Sequence, residues 1–151
     1  MRGVPPSQLS RLPMSRNDFV CLDSSAAIEL LDSSIPQNHF VEGATVVFLP
    51  LPVLGELRFG VLNAAPRWQA LMSEKLENLL VSVTPLLPDL DTAGHYANIR
   101  RQIAFPSNMS RRRESHLLND LWIAALCVQH GLPLLTTDQD FDRIEGLSVL
   151  R

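Results

Sequence analysis

The sequence predicts an α/β fold: a single domain with a central parallel β-sheet flanked by helices on both faces. Two observations lead there. Short apolar, β-branched segments alternate with longer segments of helical period along most of the 151 residues, as strands buried between helices do. A chain of this length is also enough for one domain with a real core, and it holds no internal repeat.

Residues 1–17 are rich in Pro, Ser and Arg and lack periodicity, so they are expected to form a flexible extension to a domain at 18–151. Asp18–Leu22 is a strand-like run ending at Asp23, and Ser24-Ser25 leads into a helix over Ala26–Leu31. Thr45–Leu49 is a second buried strand, closed by Pro50 and Pro52, with Pro52 suited to the first turn of a helix over Val53–Leu62. That helix carries Glu56 among Leu54, Leu57 and Phe59. Pro66–Leu80 has the period of an amphipathic helix, and Val81–Val83 is a strand candidate. Asp91 is placed to cap a helix running to Ile103, and Phe105–Glu114 is polar and irregular, a loop.

The stretch Leu118–Phe141 organises the remainder. Leu117, Leu118, Leu121, Ala124, Ala125 and Val128 recur at three- and four-residue steps, one face of a helix. Gly131 after His130 is a left-handed stop. Leu132, Leu134 and Leu135 make a strand too short to be a second helix, ending in Thr136-Thr137-Asp138. Asp120 is expected in the first turns of the helix. A short helical turn at Phe141–Ile144 and a strand at Leu147–Leu150 complete the chain.

Right-handed crossovers would bring the strand ends and following helix starts to one edge of the sheet, where open α/β folds bind ligands. Asp23, Glu56, Asp120 and Asp138 all fall there. Carboxylates crowded together repel unless a cation or protons neutralise them. Oxygen-only donors suit Mg²⁺ or Mn²⁺ rather than zinc, ions that activate water and neutralise a phosphoryl group. Ser25 and Thr136 are placed to hydrogen-bond the carboxylates, and Asn119 to orient Asp120.

Charge is compatible with a phosphate ligand held locally. The net charge is −3, yet Arg100, Arg101, Arg111, Arg112 and Arg113 give residues 100–113 a local charge of +5, beside the acids. The four histidines are scattered and pair with no Ser or Cys, which disfavours a triad hydrolase. Receivers and aspartyl phosphatases also place acids at strand ends, but they need a lysine beside them, and the one lysine is Lys75, mid-chain. No apolar run approaches the ~20 residues of a membrane span. Cys21 and Cys127 read as buried free thiols, which points to the cytoplasm.

The motifs Leu22-Asp23-Ser24-Ser25, Leu54-Gly55-Glu56-Leu57-Arg58-Phe59-Gly60, Asn119-Asp120-Leu121-Trp122-Ile123-Ala124-Ala125 and Leu135-Thr136-Thr137-Asp138-Gln139-Asp140-Phe141, in this order, resemble a PIN-domain ribonuclease of the VapC type. The resemblance covers Phe19–Leu150. It implies an endoribonuclease dependent on Mg²⁺ or Mn²⁺, the toxin of a toxin–antitoxin pair, with Asp23, Glu56, Asp120 and Asp138 as metal ligands. It also implies an RNA substrate, a cognate antitoxin of the VapB type and a homodimer. Ser24-Ser25 replace the Thr-Asn common in that family, and Ser110–His116 replaces a Gly-Pro or Ile-Gly stretch. Each acid also has a plainer reading: Asp23 and Asp120 as caps or dipole partners, Asp138 and Asp140 as turn residues. The functional alternative is a catalytically silent module of the same fold that binds RNA or an antitoxin-like partner.

Overall fold

The computed structural model describes residues 18–32 and 46–151; the expected extension at 1–17 lies outside the described residues. Five strands alternate with helices: β1 (Phe19–Leu22), α1 (Ser24–Asp32), β2 (Val46–Pro50), α2 (Leu51–Asn63), α3 (Pro66–Ser82), β3 (Thr84–Leu86), α4 (Leu90–Gln102), α5 (Arg111–His130), β4 (Leu134–Leu135), a 3₁₀ helix (Gln139–Arg143) and β5 (Val149–Leu150). All the pairings are parallel, in the order β3-β2-β1-β4-β5. The chain therefore runs outward one way from β1 through β2 to β3, then returns to β1's other side for β4 and β5. The expected parallel α/β sheet is what forms.

The reversal of strand order lies between β1 and β4, where Cys21 pairs with Leu134 and Leu22 with Leu135. A parallel sheet whose connections leave to opposite sides opens a crevice at the carboxyl ends of such strands. Asp23 follows β1 and Thr136 follows β4, so both stand at that crevice. Beneath it β1 is nearly solid apolar side chain, with Cys21 and Leu22 wholly buried against Phe48, Leu121, Ala124 and Leu134.

Several boundaries differ from the sequence reading, each for a local reason. The helix α1 starts at Ser24 rather than Ala26, capped by Asp23, whose Oδ1 accepts the Ala26 N–H at 2.8 Å. Val81 and Ser82 extend α3, and the third strand is Thr84–Leu86, with Pro85 inside it. β3 lies at the sheet edge, where a residue without an N–H is tolerated. Asp89 caps α4 in place of Asp91, because Thr92 completes a reciprocal capping box with it. The largest change is at α5. It begins at Arg111, with the Ser110 hydroxyl accepting the Arg113 N–H at 3.3 Å. Arginine is a good helix former, so part of the expected loop is the first turn of a 20-residue helix.

Asp120 consequently lies in the middle of α5, remote from both ends, and the helix dipole gives no account of it. The other end of α5 behaves as expected. Gly131 takes φ 63°, and its N–H bonds back to Cys127 and Val128 carbonyls. A Cβ at this position would touch nothing within 4 Å, so the cost of replacing it is conformational alone. Gly131→Ala is expected to destabilise the protein by about 1 kcal/mol, measured by urea denaturation; an unchanged midpoint would show that the left-handed stop is unimportant.

Candidate active site

The first acid is held from three sides. Asp23 is only 4% exposed. Its Oδ1 accepts the Ser25 hydroxyl at 2.7 Å and the Ala26 N–H at 2.8 Å, and its Oδ2 accepts the Thr136 hydroxyl. The last bond joins residues 113 apart in sequence, across the β1–β4 crevice. Its own N–H donates to the Leu135 carbonyl at 3.2 Å. A carboxylate has about four lone-pair directions, so these bonds orient Asp23 and still leave acceptor capacity. The capping role and a role in the site are therefore compatible.

Glu56 reaches the crevice from α2. Its Oε1 accepts from Asn119 Nδ2 at 3.0 Å, and its Oε2 accepts the Ser24 hydroxyl. Asn119 thus orients Glu56 rather than its neighbour Asp120, since adjacent residues on a helix point about 100° apart. Ser24 was overlooked in favour of Ser25; the sequence placed both beside Asp23, but only tertiary packing brings Glu56 over Ser24.

Asp138 caps the 3₁₀ helix, accepting the Asp140 N–H at 2.8 Å, while its own N–H donates to Thr136 Oγ1 at 2.9 Å. Thr136, 1% exposed, therefore bridges two acids, giving its proton to Asp23 and accepting from the Asp138 backbone. Asp140 is paired with Arg143 at 3.3 Å. Asp142 pairs with Arg151 at 2.5 Å.

Asp120 feels four of these acids. Burial first, then the charges of Asp138, Glu56, Asp23 and Asp140, raise its carboxyl from 3.8 to about 7. The four sequence-predicted acids, carried by the end of β1, α2, α5 and the loop after β4, thus share one electrostatic neighbourhood. They are not drawn into a closed cage: among the described residues no three acidic, His or Cys side chains stand at ion-ligating spacing.

Two cavities border this neighbourhood. One, of about 410 Å³, is lined by Asp120, Asp138 and Asp140 together with Arg113, His116 and Arg143. Of the five arginines singled out in the sequence, only Arg113 lines it. Arg100 lies over the Tyr96 and Phe105 rings at 6.0 and 5.8 Å. Arg143 was missed because it lies thirty residues beyond the arginine run and is brought back only by the 3₁₀ turn. The second cavity, of about 250 Å³, is mostly apolar, with Ile28, Leu57, Val61 and Met72, but Ser24 and Glu56 also form its wall. Lys75 borders it too, so the lysine is nearer to one acid than its place in the sequence suggests.

Comparison with known proteins agrees with this architecture. The PIN domain family matches residues 20–147. Ribonuclease VapC5 of Mycobacterium tuberculosis is 35% identical over 95 residues, a match spanning 62% of this chain and 64% of that protein. Ribonuclease VapC4 of the same organism is 32% identical over 100 residues, 64% of this chain and 70% of its own length. Among solved structures, VapBC-5 from M. tuberculosis, a member of the VapBC family of toxin–antitoxin systems, superposes with a TM-score of 0.65 at 28% identity. That match covers 89% of this chain and 98% of the other. VapBC2 from Rickettsia felis shares the fold with a TM-score of 0.68 at 17% identity, over 87% and 97% of the two chains.

The raised carboxyl of Asp120 has a consequence for stability. Its folded-state value, about 7, exceeds its unfolded value, near 3.8. Between these values the folded protein binds more protons than the unfolded chain, so metal-free stability falls as pH rises from about 4 to 7. Asp120→Asn removes that penalty. In chelator the variant is expected to be more stable than the parent at pH 8, by roughly 1–3 kcal/mol, from about 1.36 kcal/mol per tenfold change in proton affinity discounted for partial solvation. The difference should vanish near pH 4; an equal difference at both pH values, by thermal melts, would disprove the electrostatic origin.

Proposed function

This chain belongs to the PIN-domain family, and we propose that it is a Mg²⁺- or Mn²⁺-dependent endoribonuclease, the toxin of a type II toxin–antitoxin pair. The observation that carries the proposal is the convergence of Asp23, Glu56 and Asp138 on Asp120, whose carboxyl is raised to about 7 by burial and then by those charges. Such repulsion is costly unless something cationic offsets it. The donors fit a hard divalent ion. They are all oxygen, three of the four are already oriented by Ser, Thr, Asn or backbone N–H groups, and an open arrangement suits an ion that keeps several waters and takes one or two carboxylates directly.

When bound, such an ion supplies a water acidified towards neutrality and a positive charge for the phosphoryl oxygens. The chain's own residues do the rest. Ser25, Thr136 and the Ala26 N–H fix Asp23, and Asn119 and Ser24 fix Glu56, so that neither must reorganise as substrate arrives. Burial and the neighbouring acids raise the Asp120 carboxyl to about 7, so it would exchange a proton near neutral pH. Arg113 and Arg143 stand where an RNA backbone phosphate beside the acids would lie.

The partner reading rests on the second cavity. Its apolar wall runs up to Glu56 and Ser24, and the helices that form it expose Phe59, Leu62, Trp68 and Leu71. Trp68 is half exposed. A surface of this kind fits an antitoxin of the VapB type that lays an apolar face on α2 and α3 and sends a basic residue to the acids. A homodimer has further apolar surface available at Leu87 and Leu90. Among the described residues no helix is long and apolar enough to cross a membrane, and Cys21 and Cys127 are free and buried, which supports action in the reducing cytoplasm.

The test is cleavage of a mixed RNA pool by purified protein with Mg²⁺, with Mn²⁺ and with chelator. Cutting is expected only with metal, reduced by at least about 10²-fold in Asp120→Asn and by roughly 10–100-fold in Thr136→Val, which removes a supporting hydroxyl. Mg²⁺ should also raise the melting temperature of the parent more than that of Asp120→Asn. A folded protein that neither cuts nor gains stability from either ion would leave the binding-module alternative in its place.

A further inference from the structure

The 410 Å³ cavity does more than adjoin the acids. Besides His116, its lining has three chemical parts: the acidic wall, the cations Arg113 and Arg143, and an uncharged part that includes Pro106, Met109, Leu117 and Asn108. A ribonucleotide divides in the same way, into a phosphate, a flat apolar base face and a hydrogen-bonding base edge. The volume suits a ligand of that size.

We propose that this cavity is a nucleotide-recognition subsite, taking one unstacked nucleotide of single-stranded RNA beside the scissile phosphate. The proposal rests on the ribonuclease reading and deepens it by assigning the residues that choose the cut site. Arg113 and Arg143 hold the backbone phosphate, Pro106 and Met109 receive the base face, and Asn108 reads the base edge through its amide, which both donates and accepts. The base has to leave its stack to reach these residues, so single strands are taken and duplexes refused.

The cations here are placed rather than merely abundant. Arg143 is held by its ion pair with Asp140 at 3.3 Å, and Arg113 starts from a helical turn fixed by the Ser110 cap. Arg111 and Arg112, on the same turn, do not line the cavity. With a net charge of −3 the protein as a whole does not attract RNA, so phosphate binding falls to these local groups. Met109 is itself positioned, its N–H donating to the Pro106 carbonyl at 3.1 Å in a turn that presents residues 106–109 to the cavity.

Two measurements on the full chain test this. The first is anisotropy of a labelled random single-stranded RNA hexamer across a salt series in chelator. Arg113→Gln and Arg143→Gln are each expected to reduce the salt slope by about 0.7, while Arg67→Gln, on α3 away from the cavity, leaves it unchanged. The second is sequencing of cut sites from the mixed RNA pool with Mg²⁺. Asn108→Ala is expected to weaken the base preference at one position flanking the cut by about tenfold, and Met109→Ala to raise KM more than it lowers kcat. All four side chains are exposed or half-buried, so the variants should fold. Unchanged salt slopes together with an unchanged cut-site profile would overturn the subsite, and so would a parent protein that binds no RNA. If the parent binds RNA without cutting it, the ribonuclease reading fails, and the salt slopes alone decide the subsite.

Discussion

Four carboxylates held close enough to repel one another are the constraint on which the rest of this structure depends. Folding ordinarily separates like charges, or buries them only with a partner. Here the sheet delivers Asp23 and Asp138 to the switch point, and α2 and α5 add Glu56 and Asp120. The cost gathers on Asp120, which, like Glu56, serves no capping role, and whose carboxyl is raised to about 7 by burial and then by the neighbouring acids. A protein built for stability alone would have little reason to keep a mid-helix aspartate there.

The surrounding polar groups make sense as a response to that constraint. Ser24, Ser25, Asn119 and Thr136 each give a hydrogen bond to an acid. Each is a neutral donor, so it orients the carboxylates without adding or removing charge from the site. Thr136 has the most demanding role, because its hydroxyl couples the end of β1 to the turn after β4.

The acids also divide between two surfaces of different character. Asp120 and Asp138 face a cavity with cations in its wall, whereas Glu56 lies on the rim of a largely apolar one. A charged polymer and an apolar partner face would therefore approach the same carboxylates from different sides. If the proposed RNA and partner both bind, a partner group reaching Glu56 would also change the charge felt by Asp120.

Much of this was legible in the order of residues. Strand and helix periods, the Gly131 stop, the four acids and the supporting Thr136 all follow from local pattern, because burial on two faces and left-handed backbone restrict which residues can occupy those positions. Where boundaries moved, competition between neighbours decided them. Asp91 was expected to cap α4, but Thr92 forms its capping box with Asp89; residues 105–114 were expected as loop, but Ser110 caps α5 and the three arginines form its first turn. Asn119 turning to Glu56, Ser24 meeting the same glutamate, and Arg143 joining Arg113 were beyond local pattern altogether. These pairs are separated by between 30 and 63 residues, and only the packing of α2, α5 and the 3₁₀ turn around one crevice sets the distances between them. The sequence by itself determined which chemical groups are present and to which edge of the sheet they go; the tertiary structure decided which of them touch, because hydrogen bonds and Coulomb forces depend on distances that no local period encodes.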